Sequence, residues 1–198
     1  MMPIVCRSIA AVCVMILVSA CSQRGQEAHD SAPAVHSATD ATQNSPFIVT
    51  ATVKELMDST VDPSADALWD SVAIIYSLTG VDDRHPRTDE EWKAVRRNAI
   101  TLVESTNLLV MDGRHAAPKG TQPGVGELAP EQIDERIAAS RPAFVQFAHG
   151  LRAAAMKALD AIDKKDPAAL LESGGDIDQA CETCHVTYWY PNQGIPTG

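Results

Sequence analysis

The spacing of apolar residues from about position 48 onward predicts helices almost throughout the chain. A first helical stretch is expected over 48–59, and Asp62-Pro63 should interrupt it, because proline lacks an amide proton and restricts the residue before it. Ser64 can cap a continuation that ends at Gly80. The inward-facing residues of this continuation are expected to be Leu68, Trp69, Val72, Ile75 and Tyr76. No pair of strands is expected anywhere in the chain.

The next helix has clear start and stop signals. Thr88 followed three residues later by Glu91 is a capping box, in which each side chain accepts a hydrogen bond from the other residue's amide. Gly113 is placed to end this helix. Its inward-facing positions recur every three or four residues: Trp92, Val95, Ala99, Leu102, Thr106 and Leu109. Glycine and proline are frequent over 114–129, which predicts a crossing loop.

Proline marks the start of the remaining helices. Pro130 suits a first helical turn, and Pro142 is expected to kink or restart that helix. Asp166 and Pro167 cap and start the last helix. The inward face of this helix is expected to comprise Leu170, Gly174, Ile177, Cys181, Cys184 and Tyr188. Long helices with one apolar face each predict an all-α fold, an antiparallel four-helix bundle.

The last helix carries the pattern C-x-x-C-H at Cys181, Cys184 and His185. This pattern is the attachment site of a c-type haem, in which each thiol forms a thioether bond and the imidazole ligates the iron. A thioredoxin-like redox pair is expected near a βαβ pattern, and the sequence shows no such pattern. A zinc site needs a further Cys or His ligand nearby, and no Cys or His follows His185. On a helix the three side chains share one face. We therefore predict one covalent haem c per chain, facing the helical interior.

The first twenty residues have the features of a secretory signal peptide. Arg7 precedes an apolar run over 9–18 that is too short for a stable membrane span. The junction Val18-Ser19-Ala20-Cys21 resembles the lipobox of bacterial lipoproteins. That resemblance implies lipidation of Cys21 and, since serine follows it, an outer-membrane location. Ordinary cleavage after Ala20 is the alternative.

Composition divides the chain further. Residues 22–46 are polar and contain no aromatic residue before Phe47, which predicts a flexible linker. We thus expect a signal peptide at 1–20, a linker at 21–46 that includes the lipidated Cys21, and a cytochrome domain at 47–198. The 16 Lys and Arg against 26 Asp and Glu argue against binding to nucleic acid. Membrane contact is expected through the lipid anchor only, in the periplasm, where c-type haem is attached.

A haem motif near the C-terminus of a helical bundle resembles class II c-type cytochromes, the group of cytochrome c-prime and cytochrome c556. The resemblance covers the bundle, and its most specific part is C-E-T-C-H-V-T-Y at 181–188. Tyr188 matches the aromatic residue that the family commonly has three positions after the haem histidine. Trp189 stands where cytochromes c-prime often have arginine, so the role of that arginine is not carried over. We expect the aromatic tail 188–190 to shield the haem edge.

The same resemblance implies two alternatives for the sixth iron ligand. In the c556 type a methionine of the first helix ligates the iron, and Met57 lies in that region on the same face as Val53. In the c-prime type the distal side is apolar and open, and the haem binds NO or CO. Haem packing is expected from Val53, Ile177 and Tyr188.

These expectations define the predicted function. The first candidate function is that of a non-enzymatic one-electron carrier in the periplasm, which exchanges electrons with redox partner proteins. The alternative is a protein that binds or senses NO or CO. Because family members often dimerise, a homodimer is also considered.

Overall fold

The computed structural model describes residues 46–191, so the predicted signal peptide, Cys21 and almost all of the linker lie outside the described residues. The described part is mostly helical with one small two-stranded sheet. In chain order the elements are α1 (Val53–Leu56), a π-helical turn (Met57–Val61), α2 (Asp62–Trp69), β1 (Ala73–Ser77), β2 (Gly80–Arg84), α3 (Asp89–Leu109), α4 (Pro130–Ala139), α5 (Arg141–Asp163) and α6 (Pro167–Tyr188).

The first helix begins later than its apolar residues suggest. It starts at Val53 rather than at 48, because Thr52 caps it. The Thr52 hydroxyl accepts a hydrogen bond from the Glu55 amide at 3.2 Å, and the Glu55 carboxylate accepts one from the Thr52 amide at 2.8 Å. The Val53 amide donates to the His115 carbonyl oxygen at 2.9 Å. The start of this helix is therefore held by the loop that follows α3.

The helix also passes through Asp62-Pro63, so the predicted interruption is wrong. The turn before Pro63 is π-helical, and the Asp62 amide donates to the carbonyl oxygen of Met57, five residues earlier. Proline has no amide proton, and its ring crowds the carbonyl group four residues before it. A widened turn relieves that crowding and lets the helix continue into α2.

The predicted continuation of this helix to Gly80 is wrong, and so is the expectation of no strand pair. The helix ends at Trp69, and β1 pairs with β2 in an antiparallel hairpin, with Ile75 opposite Asp82. Ile75 and Tyr76, expected to face inward, are 44% and 78% exposed. β-branched and aromatic residues favour extended backbone, which explains why this segment leaves the helix.

The other helices confirm most of their predicted signals. The Thr88 hydroxyl accepts from the Glu91 amide at 3.2 Å, and the Asp166 carboxylate accepts from the Ala169 amide at 3.0 Å. Ser140 separates α4 from α5, so the helix restarts beside Pro142 as expected. The inward positions predicted for α3 are all buried, although α3 ends before Gly113. No helix within residues 46–191 is long and apolar enough to cross a membrane.

Packing of these helices creates the core. α5 packs against α3 and α6, and the segment formed by α1, the π turn and α2 also packs against α3 and α6. Gly174 of α6 lets the Trp69 indole approach closely, because glycine has no side chain. Trp69 Nε1 donates to the Gly174 carbonyl oxygen at 3.0 Å, and a Cβ on Gly174 would lie 3.1 Å from Trp69 Cδ1. These contacts join α6 to the first helical segment.

Candidate functional site

A cleft lined by α6, α5 and the first helical segment brings together most of the predicted site residues. It encloses about 930 Å³ of space between atoms, part of it open to solvent. The predicted residues that line it are Val53, Met57, Cys181, Cys184 and His185. Met57 and His185, which are 128 positions apart in the chain, thus line the same cleft.

The helix α6 presents the C-x-x-C-H side chains to this cleft. The helix continues to Tyr188, so the thiols of Cys181 and Cys184 and the imidazole of His185 lie at i, i+3 and i+4 on one face. All three residues are partly buried. The predicted orientation toward the interior is therefore confirmed.

Met57 reaches the same cleft from the π-helical turn. The residue is partly buried and packs against the core. Short π-helical segments within α-helices occur frequently at functional sites. The carbonyl group of Met57 accepts the amide proton of Asp62, which also lines the cleft. The distortion that Pro63 imposes is thus located where the site is formed.

Two of the residues expected to pack on haem lie behind the cleft wall. Ile177 and Tyr188 are buried in the core and are not among the lining residues. The Tyr188 ring meets the rings of Phe144 and Phe147 edge-on, with centroid distances of 5.4 and 5.8 Å. Its hydroxyl shares a 3.1 Å hydrogen bond with the Ser140 hydroxyl. Tyr188 therefore supports the two phenylalanines that face the cleft.

The other aromatic residues of the tail lie beside His185. The ring centroids of Trp189 and Tyr190 are 6.5 and 5.8 Å from that of His185, and both residues line the cleft. The Tyr190 hydroxyl donates to Glu182 at 2.9 Å, and the Trp189 carbonyl oxygen accepts from the Leu128 amide at 2.8 Å. These contacts fix the tail against the motif and against the loop that precedes α4.

Several lining residues were not predicted as part of a site. The apolar ones are Leu109, Phe144, Phe147, Ala148, Leu151 and Ala180, and the charged ones are Lys54, Asp58, Asp62 and Glu127. The phenylalanines belong to the apolar stripe of α5, which predicts burial but does not indicate what the stripe faces. Glu127 lies in the loop between α3 and α4, and no local sequence pattern predicts that it lines the cleft.

Burial controls the protonation of the motif. It lowers the pKa of His185, although the negative charges of Asp62 and Glu182 oppose this. The imidazole is therefore neutral at neutral pH and keeps a lone pair on one ring nitrogen.

Burial also raises the pKa of the Cys181 and Cys184 thiols to about 12, so both are protonated at neutral pH. Redox-active C-x-x-C cysteines have lowered pKa values instead. The environment of the two thiols therefore does not favour the thioredoxin-like alternative. Within residues 46–191, no three His, Cys, Asp or Glu side chains are grouped so that they could hold a metal ion by themselves.

Comparison with known proteins adds no family assignment. No protein-family model, no curated protein and no solved structure matches this chain. The functional proposal is therefore based on the sequence motif and on the geometry of the cleft.

Proposed function

We propose that the chain is a c-type cytochrome that carries one covalent haem c and transfers single electrons. The observation that supports this most is that Cys181, Cys184, His185 and Met57 line one largely apolar cleft. A c-type haem requires two thiols, an axial imidazole on the same helix face and an apolar surround. The proposed fold is an antiparallel four-helix bundle built from the first helical segment, α3, α5 and α6.

Each group of the cleft has a defined role in this proposal. Cys181 and Cys184 would hold the haem covalently, each thiol adding across one vinyl group to form a thioether bond. The neutral His185 would offer a nitrogen lone pair to the haem iron, and the Met57 thioether would offer a sulfur ligand. The bound haem supplies an iron that changes its oxidation state by one electron.

The surrounding side chains control solvent access and orientation. Val53, Phe144, Phe147 and Leu151 provide apolar walls that exclude water, and exclusion of water strengthens the electrostatic interactions within a site. Trp189 and Tyr190 pack beside His185 and restrict rotation of its ring. Restricting a ligand ring in this way is a common means of tuning a metal centre.

Location and partners follow from the sequence. We propose a periplasmic protein that is anchored in the outer membrane through lipid on Cys21 and has no further membrane attachment. Its partners are redox proteins rather than nucleic acids, in keeping with a net charge of −10. The protein transfers electrons without catalysing a reaction of its own.

An optical spectrum of the oxidised and reduced protein tests the axial ligands. We expect low-spin haem with the weak long-wavelength band of sulfur ligation, and Met57→Ala should make it high-spin and reactive with CO. Met111 is a matched control, because its sulfur accepts from Arg114 at 3.3 Å outside the cleft, and Met156, 43% exposed, is a second. A low-spin spectrum that is unchanged in Met57→Ala would exclude Met57 as the ligand.

A denaturing gel stained for haem tests attachment separately. The native chain should retain haem, and the double variant Cys181→Ala/Cys184→Ala should lose it. Haem that remains bound to the denatured double variant would refute the assignment.

The apolar character of the cleft favours a second candidate, a protein that binds NO or CO at an open iron site. Leu109, Phe144 and Leu151 could surround a small diatomic ligand without offering it a hydrogen bond. The same spectra distinguish the two functions. High-spin native haem that binds CO rapidly, with no change in Met57→Ala, would support gas binding and remove the main support for electron transfer.

A further inference from the structure

The β1–β2 hairpin exposes an apolar surface that the proposed function does not use. Five large apolar residues of the hairpin are between 44% and 108% exposed: Ile74, Ile75, Tyr76, Leu78 and Val81. Together they expose on the order of several hundred Å² of apolar surface, about as much as the largest patch on a typical monomer. None of them lines the cleft. An inference about the hairpin is therefore independent of haem binding.

The two edges of the hairpin differ in chemistry. Within residues 46–191, β1 pairs only with β2, which leaves one edge of each strand without a strand partner. The β1 edge belongs to the sequence Ala-Ile-Ile-Tyr-Ser, whereas β2 carries three successive charged residues, Asp82, Asp83 and Arg84. Charged residues on an edge strand oppose pairing with another strand, and like charges placed opposite each other are unfavourable. Of the two strands, only β1 therefore has an edge that is suited to pairing with a further strand.

The register of the hairpin decides which backbone groups are available on β1. Ser77 and Gly80 are partners on either side of the turn residues 78–79. In such a hairpin this flanking pair is hydrogen-bonded, so alternate residues of β1 direct their amide and carbonyl groups to β2. Ile74 and Tyr76 therefore direct theirs to the unpaired edge.

We propose that β1 pairs with β1 of a second copy of this chain, antiparallel and with Ile75 on the two-fold axis. In this arrangement Ile74 lies opposite Tyr76 of the second copy and exchanges amide-to-carbonyl hydrogen bonds with it. An aromatic residue facing a β-branched residue is a favourable cross-strand pair. The result is a four-stranded sheet with an apolar centre and acidic outer strands.

The carboxylates of β2 argue against a lipid surface as the partner and limit the assembly to two. Insertion of the hairpin into a bilayer would carry Asp82 and Asp83 toward the hydrocarbon, which is costly. A head-to-tail contact of β1 with β2 would leave a new edge and form a filament, whereas the two-fold contact closes. The acidic outer strands oppose further addition.

Area and charge also predict how tight the dimer is. The hairpin offers less than the roughly 800 Å² per partner of a standard interface. Each copy has a net charge of −10, so the copies repel one another. We expect a concentration-dependent dimer that is strengthened by salt, because salt screens this repulsion.

Disulfide formation tests the register in the full chain, which is oxidised in intact cells and then purified with its haem in mild detergent. In the proposed pairing the two Ile75 residues form a non-hydrogen-bonded pair, with Cα atoms about 4.5 Å apart, a distance that a disulfide can bridge. Ile75→Cys should give a disulfide-linked dimer on a non-reducing gel. Asp82→Cys is the matched control, because Asp82 lies opposite Ile75 on the same sheet face, and it should give no more dimer than the native chain.

Three results of that experiment would overturn the proposal. They are equal cross-linking of the two variants, no dimer of Ile75→Cys, and cross-linking of Ile75→Cys to a different protein. The last result would replace the second copy by that protein as the occupant.

Sedimentation velocity provides a second measurement that needs no cysteine. Tyr76→Lys places like charges near the axis and should weaken the dimer by about tenfold or more. Ile100→Lys adds the same charge on α3, at a residue that is 39% exposed, and should leave the dimer unchanged. A native chain that remains monomeric at high salt and high concentration would refute the proposal, and so would equal effects of the two lysines.

Discussion

The cleft and the hairpin place their apolar residues in opposite ways. In the cleft, apolar side chains surround two thiols and an imidazole, and Ile177 lies fully buried behind them on the same helix. In the hairpin, Ile74, Ile75 and Tyr76 lie on a small sheet that leaves them largely exposed. The same residue types therefore stabilise the monomer in one region and form an outer surface in the other. Stability measurements can separate these two uses.

The largest expected effect is the difference between two isoleucines. Ile177→Ala should lower the free energy of unfolding by about 2–5 kcal/mol, because it leaves a cavity in the core. Ile75→Ala should change it by no more than about 0.5 kcal/mol when the protein is dilute enough to be monomeric, as is usual for an exposed position. Urea unfolding followed by circular dichroism measures both. Equal losses would mean that the hairpin contributes to the same folding unit as the core.

A smaller effect is expected from two adjacent glycines of α6. Gly174 lies against the Trp69 indole, whereas a Cβ on Gly175 would meet nothing within 4 Å. Gly175→Ala should be stabilising by about 0.5–1 kcal/mol, since alanine is the better helix former. Gly174→Ala should be less stable than Gly175→Ala by about 1–3 kcal/mol, because it crowds Trp69. Thermal unfolding of the two variants side by side tests this, and identical values would refute the close contact.

A third prediction concerns how the stability of the folded protein depends on pH through a carboxyl group in the cleft. Burial raises the pKa of Asp62 above its ordinary value of 3.8, although His185 opposes this. A carboxyl group with a raised pKa favours folding when it is protonated, so its contribution is complete below the ordinary value and is lost as the pH rises through the raised value. Asp62→Asn should therefore stabilise the haem-free protein at neutral pH, and the gain should vanish in acid. Urea unfolding at several pH values measures it, and a gain that grows in acid would contradict it.

Glu91, at the helix start next to the hairpin, should show the opposite dependence. Hydrogen bonds from the Arg87 and Thr88 amides lower the pKa of its carboxyl group below the ordinary value of 4.5. Its contribution is present above that value and is lost as the pH falls through the lowered pKa. Glu91→Ala should therefore cost stability at neutral pH and nothing in strong acid. The same titration of unfolding measures the effect, and a loss that persists in strong acid would show that charge is not its cause.

The parts of the fold that the sequence predicts correctly depend on short-range chemistry. The capping residues Thr88 and Asp166 and the restart at Pro142 each involve a side chain and its immediate surroundings. The C-x-x-C-H motif is local in the same sense, because one helical turn sets the positions of its three side chains. Such features need no knowledge of what packs against them.

The hairpin and the π turn could not be predicted in the same way. Apolar residues over 68–76 fit a helix or a strand over so short a window. The turn Leu78-Thr79 lacks the Asn-Gly pattern of common hairpins, and the one local signal is Gly80, whose φ of 142° is rarely adopted by residues with a side chain. Pro63 ordinarily ends a helix, and only packing on both sides makes a widened turn the better solution.

The cleft was predictable only in part, for a related reason. Met57 was expected from a family resemblance, but its position depends on the π turn. Glu127 and Phe144 reach the cleft through long-range packing that no local pattern records. Local motifs indicate the chemistry of a site, whereas its walls are set by the tertiary structure.

The π turn has a consequence for insertions and deletions in this helix. A π turn contains one residue more than the α-helical turn it replaces, so removing one residue there can restore regular helix while the faces on either side keep their alignment. Deleting the solvent-facing Ser59 should therefore leave Val53 and Leu68 directed toward the core. The same deletion within α5 would rotate one half of the helix by about 100° relative to the other. Length variation in this protein should thus be tolerated beside Met57 and excluded from α5, the helix that forms another wall of the cleft.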